Sequence, residues 1–126
     1  MKDYISKFID KWKDVEIEDY CGDVSPQYRE FQKGYKQIIN QICLMNNFNL
    51  CSFNGMHYCF SAVLYNRQSD KYIYISIPDV RFFKNKWCSH ILYRSMENET
   101  DYRGGENHYT DLLHLEKNLI VSTNKI

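Results

Sequence analysis

The stretch KYIYISI, residues 71–77, decides the fold class. Isoleucine at 73, 75 and 77 alternates with tyrosine at 72 and 74. A period of two puts the isoleucines on one face of a strand and the tyrosines on the other. β-Branched and aromatic side chains suit such a pleated surface. Pro78 ends the strand, because proline has no amide to donate to a ladder.

Working outward, NRQSD (66–70) reads as a turn, and MHYCFSAVLY (56–65) alternates again. Asn54-Gly55 is a tight-hairpin pair that joins this strand to FNLCSF (48–53). On the other side, CSHILYRSM (88–96) reads as a fourth strand and residues 97–109 as a polar loop. TDLLHLEKNLIV (110–121) reads as a short helix capped by Thr110, with a strand over 118–122 as the competing reading.

Before residue 48 the period changes to 3.6. Tyr28, Phe31, Tyr35, Ile38, Ile39, Ile42 and Met45 form a helical stripe. Ser25 is placed to cap that helix, Pro26 suits its first position, and Asn46-Asn47 ends it. Ile5, Phe8, Ile9 and Trp12 mark a shorter amphipathic helix over 3–13. Segregated helices and strands predict an α+β fold in one domain over 1–126. Two N-terminal helices pack on one face of a four- to five-stranded antiparallel meander, closed by a short C-terminal helix or strand. The second helix should lie across the isoleucine face.

Sixteen basic and sixteen acidic residues cancel, so the chain lacks the basic field usual for nucleic-acid binding. No apolar run approaches the roughly 20 residues that span a bilayer, and the N-terminus lacks the uninterrupted apolar region of a secretion signal. No membrane association is expected. The five cysteines form no C-x-x-C pair and read as reduced thiols in a cytoplasm. A single alanine, and eleven lysines against five arginines, imply an AT-rich genome.

Four groupings bear on chemistry. His57/Cys59 and Cys88/His90 each place two metal-ligand types on one strand face, but the C-x2-4-C knuckles typical of structural zinc are missing. The preferred reading is buried thiols and surface histidines, with no metal or cofactor. No nucleophile elbow, P-loop, H-E-x-x-H or dinucleotide fingerprint occurs, and a non-catalytic domain is favoured. Asp79, Arg81, Arg94, Asp101, Arg103 and Asn107 cluster around strand ends and the Gly104-Gly105 loop. They suggest a loop fastened by forked ion pairs or a small polar pocket. Finally, Tyr65, Tyr72, Tyr74 and Tyr93 suggest an outward tyrosine layer, suited to a protein interface or to stacked bases.

Charge is sorted along the chain. Residues 14–23 hold five acids (Asp14, Glu16, Glu18, Asp19, Asp23) and no base, whereas 80–96 holds Arg81, Lys84, Lys86 and Arg94 and no acid. Sorted patches on a neutral protein suit a specific protein partner.

The span IYISIPDVRFF…W…ILYRSMENETDYRGGEN (73–107) resembles a group of small proteins of low-GC bacteria and their mobile elements. The shared pattern is S-I-x-D-V-R, then a Trp, then I-L-x-R, then D-Y-x-G-G-x-N. It covers about a quarter of the chain. Residence on mobile elements implies antagonism of host defence, an anti-CRISPR role included.

The expected function is therefore that of a small, non-enzymatic cytoplasmic protein that binds another protein, as a phage- or plasmid-encoded inhibitor of a host CRISPR or other defence nuclease. Its contacts are expected on the acidic segment 14–23 or on Tyr72 and Tyr74. The alternatives are a single-stranded nucleic-acid-binding module and a small-molecule or nucleotide-binding or hydrolysing domain.

Overall fold

A computed structural model describes residues 2–15, 26–55, 59–78, 87–98 and 106–123. The elements are α1 (Lys2–Trp12), α2 (Pro26–Met45), β1 (Phe48–Asn54), β2 (Phe60–Asn66), β3 (Lys71–Ile77), β4 (Ile91–Met96), β5 (His108–Thr110) and α3 (Leu112–Thr123). The strands form one antiparallel sheet in the order β1-β2-β3-β4-β5. This is the expected α+β architecture, two N-terminal helices and then a meander, with the C-terminal element resolved as a helix.

The alternation in 71–77 sets the layer order. Ile73, Ile75 and Ile77 are fully buried and share one apolar cluster with Phe31, Tyr35, Ile38, Ile39 and Ile42 of α2. Each fully buried isoleucine contributes about 1.5–3 kcal/mol relative to an exposed one. Cross-strand pairing continues this inner face through Leu50, Leu64 and Ile73, and again through Phe53, Ala62, Ile75 and Tyr93. Leu112, Leu115 and Leu119 bring α3 onto the same side.

Five rings of the core interlock at the α1–α2 crossing. Phe8 meets Phe31, Tyr35 and Trp87 at centroid distances of 5.4, 5.4 and 5.7 Å. Trp12 meets Phe31 at 5.3 Å, edge to face. Phe8 comes this close because residue 34 of α2 is glycine. A Cβ there would sit 2.9 Å from a Phe8 ring carbon.

Polar links fix the connections. Asn47, in the left-handed region at φ 60°, closes α2, as asparagine commonly does. The β2–β3 turn is built on Asn66. Its Oδ1 accepts the amides of Gln68 and Ser69, and its Nδ2 donates to the buried Thr123 hydroxyl at 2.9 Å. Gln32 donates its amide to the carbonyls of Gly55 and Cys59, at 2.9 and 2.6 Å, bridging the two ends of the β1–β2 connection.

Several local boundaries differ from expectation. Asn54 ends β1 and pairs with Ser61 of β2, so Asn54-Gly55 is not a two-residue hairpin turn. β4 begins at Ile91 because 87–89 form a turn. Residues 108–110 are a strand, not part of a loop: Thr110 pairs with Ile91. The α3 cap is accordingly Asp111, whose carboxylate accepts the His114 amide at 2.8 Å. Residues 118–122 lie within α3. Among the described residues, no helix is long and apolar enough to cross a membrane.

Candidate docking surface

The side of the sheet opposite the helices carries the tyrosines in three cross-strand rows. The first runs Asn49, Tyr65, Tyr72, Met96. The second runs Ser52, Val63, Tyr74, Arg94. The third runs Asn54, Ser61, Ser76, Leu92, Tyr109. Tyr65 and Tyr72 touch with centroids 4.8 Å apart. The Arg94 guanidinium lies over the Tyr74 ring at 5.4 Å, a cation–π contact of about 0.5–2 kcal/mol.

These rows form a second packed layer. Tyr65, Tyr72 and Tyr74 are half-buried, while Val63, Arg94 and Met96 are only 2, 8 and 5% exposed. The expected tyrosine layer is present, but its rings are partly covered and its arginine is sunk. Tyr93 does not belong to it. Odd and even positions of β4 face opposite ways, so Tyr93 pairs with Ile75 on the inner side, stacked on His108 at 5.4 Å. Tyr65 also donates to Asp70 at 2.6 Å, and this hydrogen bond to the carboxylate raises its pKa.

The remaining expected site residues divide. Asp14 is exposed just beyond α1 and Asn107 is exposed just before β5. Glu16, Glu18, Asp19, Asp23, Asp79, Arg81, Asp101, Arg103 and the Gly104-Gly105 pair lie outside the described residues, as does His57. Of the suggested metal pairs, Cys59 is buried and Cys88 half-buried, and His90 stacks on Tyr109 at 4.4 Å. Among the described residues no group of three or more His, Cys, Asp or Glu is arranged to hold a metal.

Asp111, beside the Cys88 turn, is paired with His114. His114 Nδ1 sits 2.7 Å from Asp111 Oδ1, and Asp111 is near Cys88. Burial pushes the Cys88 thiol pKa up, a backbone hydrogen bond offsets part of that rise, and the Asp111 charge adds to it, so the nucleophilic thiolate is disfavoured. Burial likewise raises Cys43 to about 11.

A second surface escaped the sequence reading. α1 and α2 run antiparallel, pinned by Tyr4 donating to Gln37 at 3.2 Å and by the Lys11–Glu30 ion pair at 2.9 Å. Two open depressions along their outer seam, about 340 and 470 Å³, share Tyr4 and Gln37 and so form one trough. The signal was present in the spacing. Tyr4, Lys7 and Lys11 recur at i, i+3 and i+7 beside the apolar stripe of α1, opposite Glu30, Lys33 and Gln37 of α2.

No protein-family model, curated protein or solved structure matches this chain.

Proposed function

We propose that this chain is a small, non-enzymatic protein-binding protein whose principal contact face is the tyrosine-bearing outer side of the sheet. The observation that carries this is the row structure of that face: half-exposed Tyr65, Tyr72 and Tyr74 over a buried floor of Val63, Arg94 and Met96. Rigid aromatic side chains on a desolvated base are the chemistry of interface hot spots. Tyrosine adds a hydroxyl at the rim, where water meets the contact. A protein partner is favoured over single-stranded nucleic acid because base stacking needs open ring faces and phosphate binding needs reachable cations. Here the rings are half-covered and, among the described residues, Arg94 of this face is 8% exposed.

In its finer form the proposal makes the partner a host CRISPR or other defence nuclease, blocked in the cytoplasm by a phage- or plasmid-encoded inhibitor. Support comes from the mobile-element resemblance and from the acid-only segment 14–23, which suits a basic nuclease groove.

The test is affinity capture from a low-GC host extract with the native chain and with a Tyr65→Ser/Tyr72→Ser variant of unchanged circular dichroism. A stoichiometric protein captured by the first and lost by the second is the expected result. Recovery of no such protein rejects the reading. Salt-sensitive binding to a single-stranded oligonucleotide in its place transfers the face to nucleic acid. Restored plasmid transformation in a CRISPR-immune strain expressing the chain is the expected result for the finer form.

A further inference from the structure

The trough between α1 and α2 is independent of the tyrosine face, since it lies on the helical side of the sheet. Its floor is the edge of Phe8, the Gly34 backbone and the edge of Trp12. Its walls differ along its length. Toward Trp12 stand Lys7, Lys33 and the Lys11–Glu30 pair; toward Met45 stand Gln37, Asn40 and Gln41, with Tyr4 at the junction.

Lys7 and Lys33 are exposed, and among the described residues neither makes a hydrogen bond or ion pair. The lining holds three lysines and one carboxylate, that of Glu30, which already neutralises Lys11. Two positive charges are left facing the seam. From Glu30 to Met45 the trough follows α2 for about 22 Å at 1.5 Å per residue, about four turns of helix.

We propose that this trough docks a helical segment of a partner protein that carries acidic residues on the face it presents. A seam between two antiparallel helices accepts a third helix along its length. An acidic side chain one turn inside the basic half meets Lys7 and Lys33. The apolar side chains of the guest rest on Tyr4 and Met45, 44 and 59% exposed. The amides of Gln37, Asn40 and Gln41 offer both donors and acceptors to its polar flank. Nucleic acid fits less well. A phosphate backbone needs cations along its whole track, whereas here they occupy one end, beside the Glu30 carboxylate.

The experiment is a titration of the 15N-labelled full chain with a helical peptide of about 15 residues, bearing glutamates at i, i+3, i+4 and i+7 and leucines beside them. A charge-reversed lysine peptide and a single-stranded oligonucleotide of equal negative charge are titrated in parallel. Expected are shifts confined to the amides of Tyr4, Lys7, Lys33 and Gln37 with the acidic peptide alone, weakening as salt rises. A Lys7→Glu/Lys33→Glu variant should lose at least tenfold in affinity, while Lys71→Glu, exposed at the start of β3, should lose none. Absence of shifts at millimolar peptide overturns the proposal, as do equal shifts with the lysine peptide, equal loss in Lys71→Glu, or tighter binding of the oligonucleotide to the same residues.

Discussion

The hydroxyl of Tyr35 donates to the main-chain carbonyl of Trp87 over 2.9 Å, with both residues buried. One residue on, the carbonyl of Cys88 accepts the Leu112 amide at 2.7 Å. The 87–89 turn is thus held by α2 on one side and by the first turn of α3 on the other. This turn delivers the Trp87 ring into the aromatic cluster and sets where β4 begins.

Tyr35→Phe keeps the ring packing and orphans the Trp87 carbonyl. A buried acceptor without a partner costs about 1–3 kcal/mol. Urea unfolding followed by tryptophan fluorescence should show that loss with an unchanged m-value. A loss below about 0.5 kcal/mol would mean that water replaces the hydroxyl.

Gly34→Ala sets two effects against each other. Alanine is favoured over glycine inside a helix by about 1 kcal/mol, yet its Cβ would sit 2.9 Å from Phe8, and overpacking costs about 1–3 kcal/mol. Net destabilisation is expected in the native chain. In a Phe8→Ala background the clash is gone, and the same substitution should stabilise. A thermal-melt double-mutant cycle checks the change of sign.

Asn66 and Thr123 should behave as one unit. Asn66→Ala removes the turn acceptor and the donor to Thr123. Thr123→Val leaves the Asn66 amide unpaired, at about 1–3 kcal/mol. The double variant should cost less than the sum by about 0.5–3 kcal/mol, measured by denaturant unfolding. Strict additivity would show that the 2.9 Å contact carries no coupling.

Stability should fall in alkali before any backbone chemistry begins. Burial raises the pKa of Cys43 from 9.0 to about 11, and burial first, then Cys59 and Cys88, raise that of Tyr35 well above 10.0. For both groups the folded state holds its proton where the unfolded chain has lost it. The stabilisation is therefore complete below pH 9 and declines as pH rises, through Cys43 first and Tyr35 above pH 10. Unfolding free energies measured at pH 8, 9, 10 and 11 should slope downward, and Cys43→Val should flatten the step between 9 and 11. A flat profile in the native chain overturns this assignment.

The outer face has its own test. Once a partner is captured, Tyr72→Ala should weaken binding by about thirtyfold, the 2 kcal/mol of an interface hot spot, while Asn107→Ala changes it little. Calorimetric titration separates the two.

Periodicity alone determined the class of this fold. Isoleucines at 73, 75 and 77 cannot all be buried except in a strand, and the stripe from Tyr28 to Ile42 cannot be one-sided except in a helix; Met45, expected to continue it, lies exposed beyond it. Those local patterns also put the tyrosines on the far side of the sheet. Three things were left to tertiary structure, because each depends on residues distant in the chain. β5 has three residues, too few to show a period, and exists because Ile91 offers Thr110 a ladder. Arg94 reads as a strand-end charge, yet it is only 8% exposed, with its guanidinium over the ring of Tyr74, twenty positions earlier. The lysine-walled trough appears when Gly34 admits Phe8 and two helices close to packing distance. Spacing along a chain fixes which way a side chain points, and only the approach of another element decides whether it meets solvent, a partner or a neighbour.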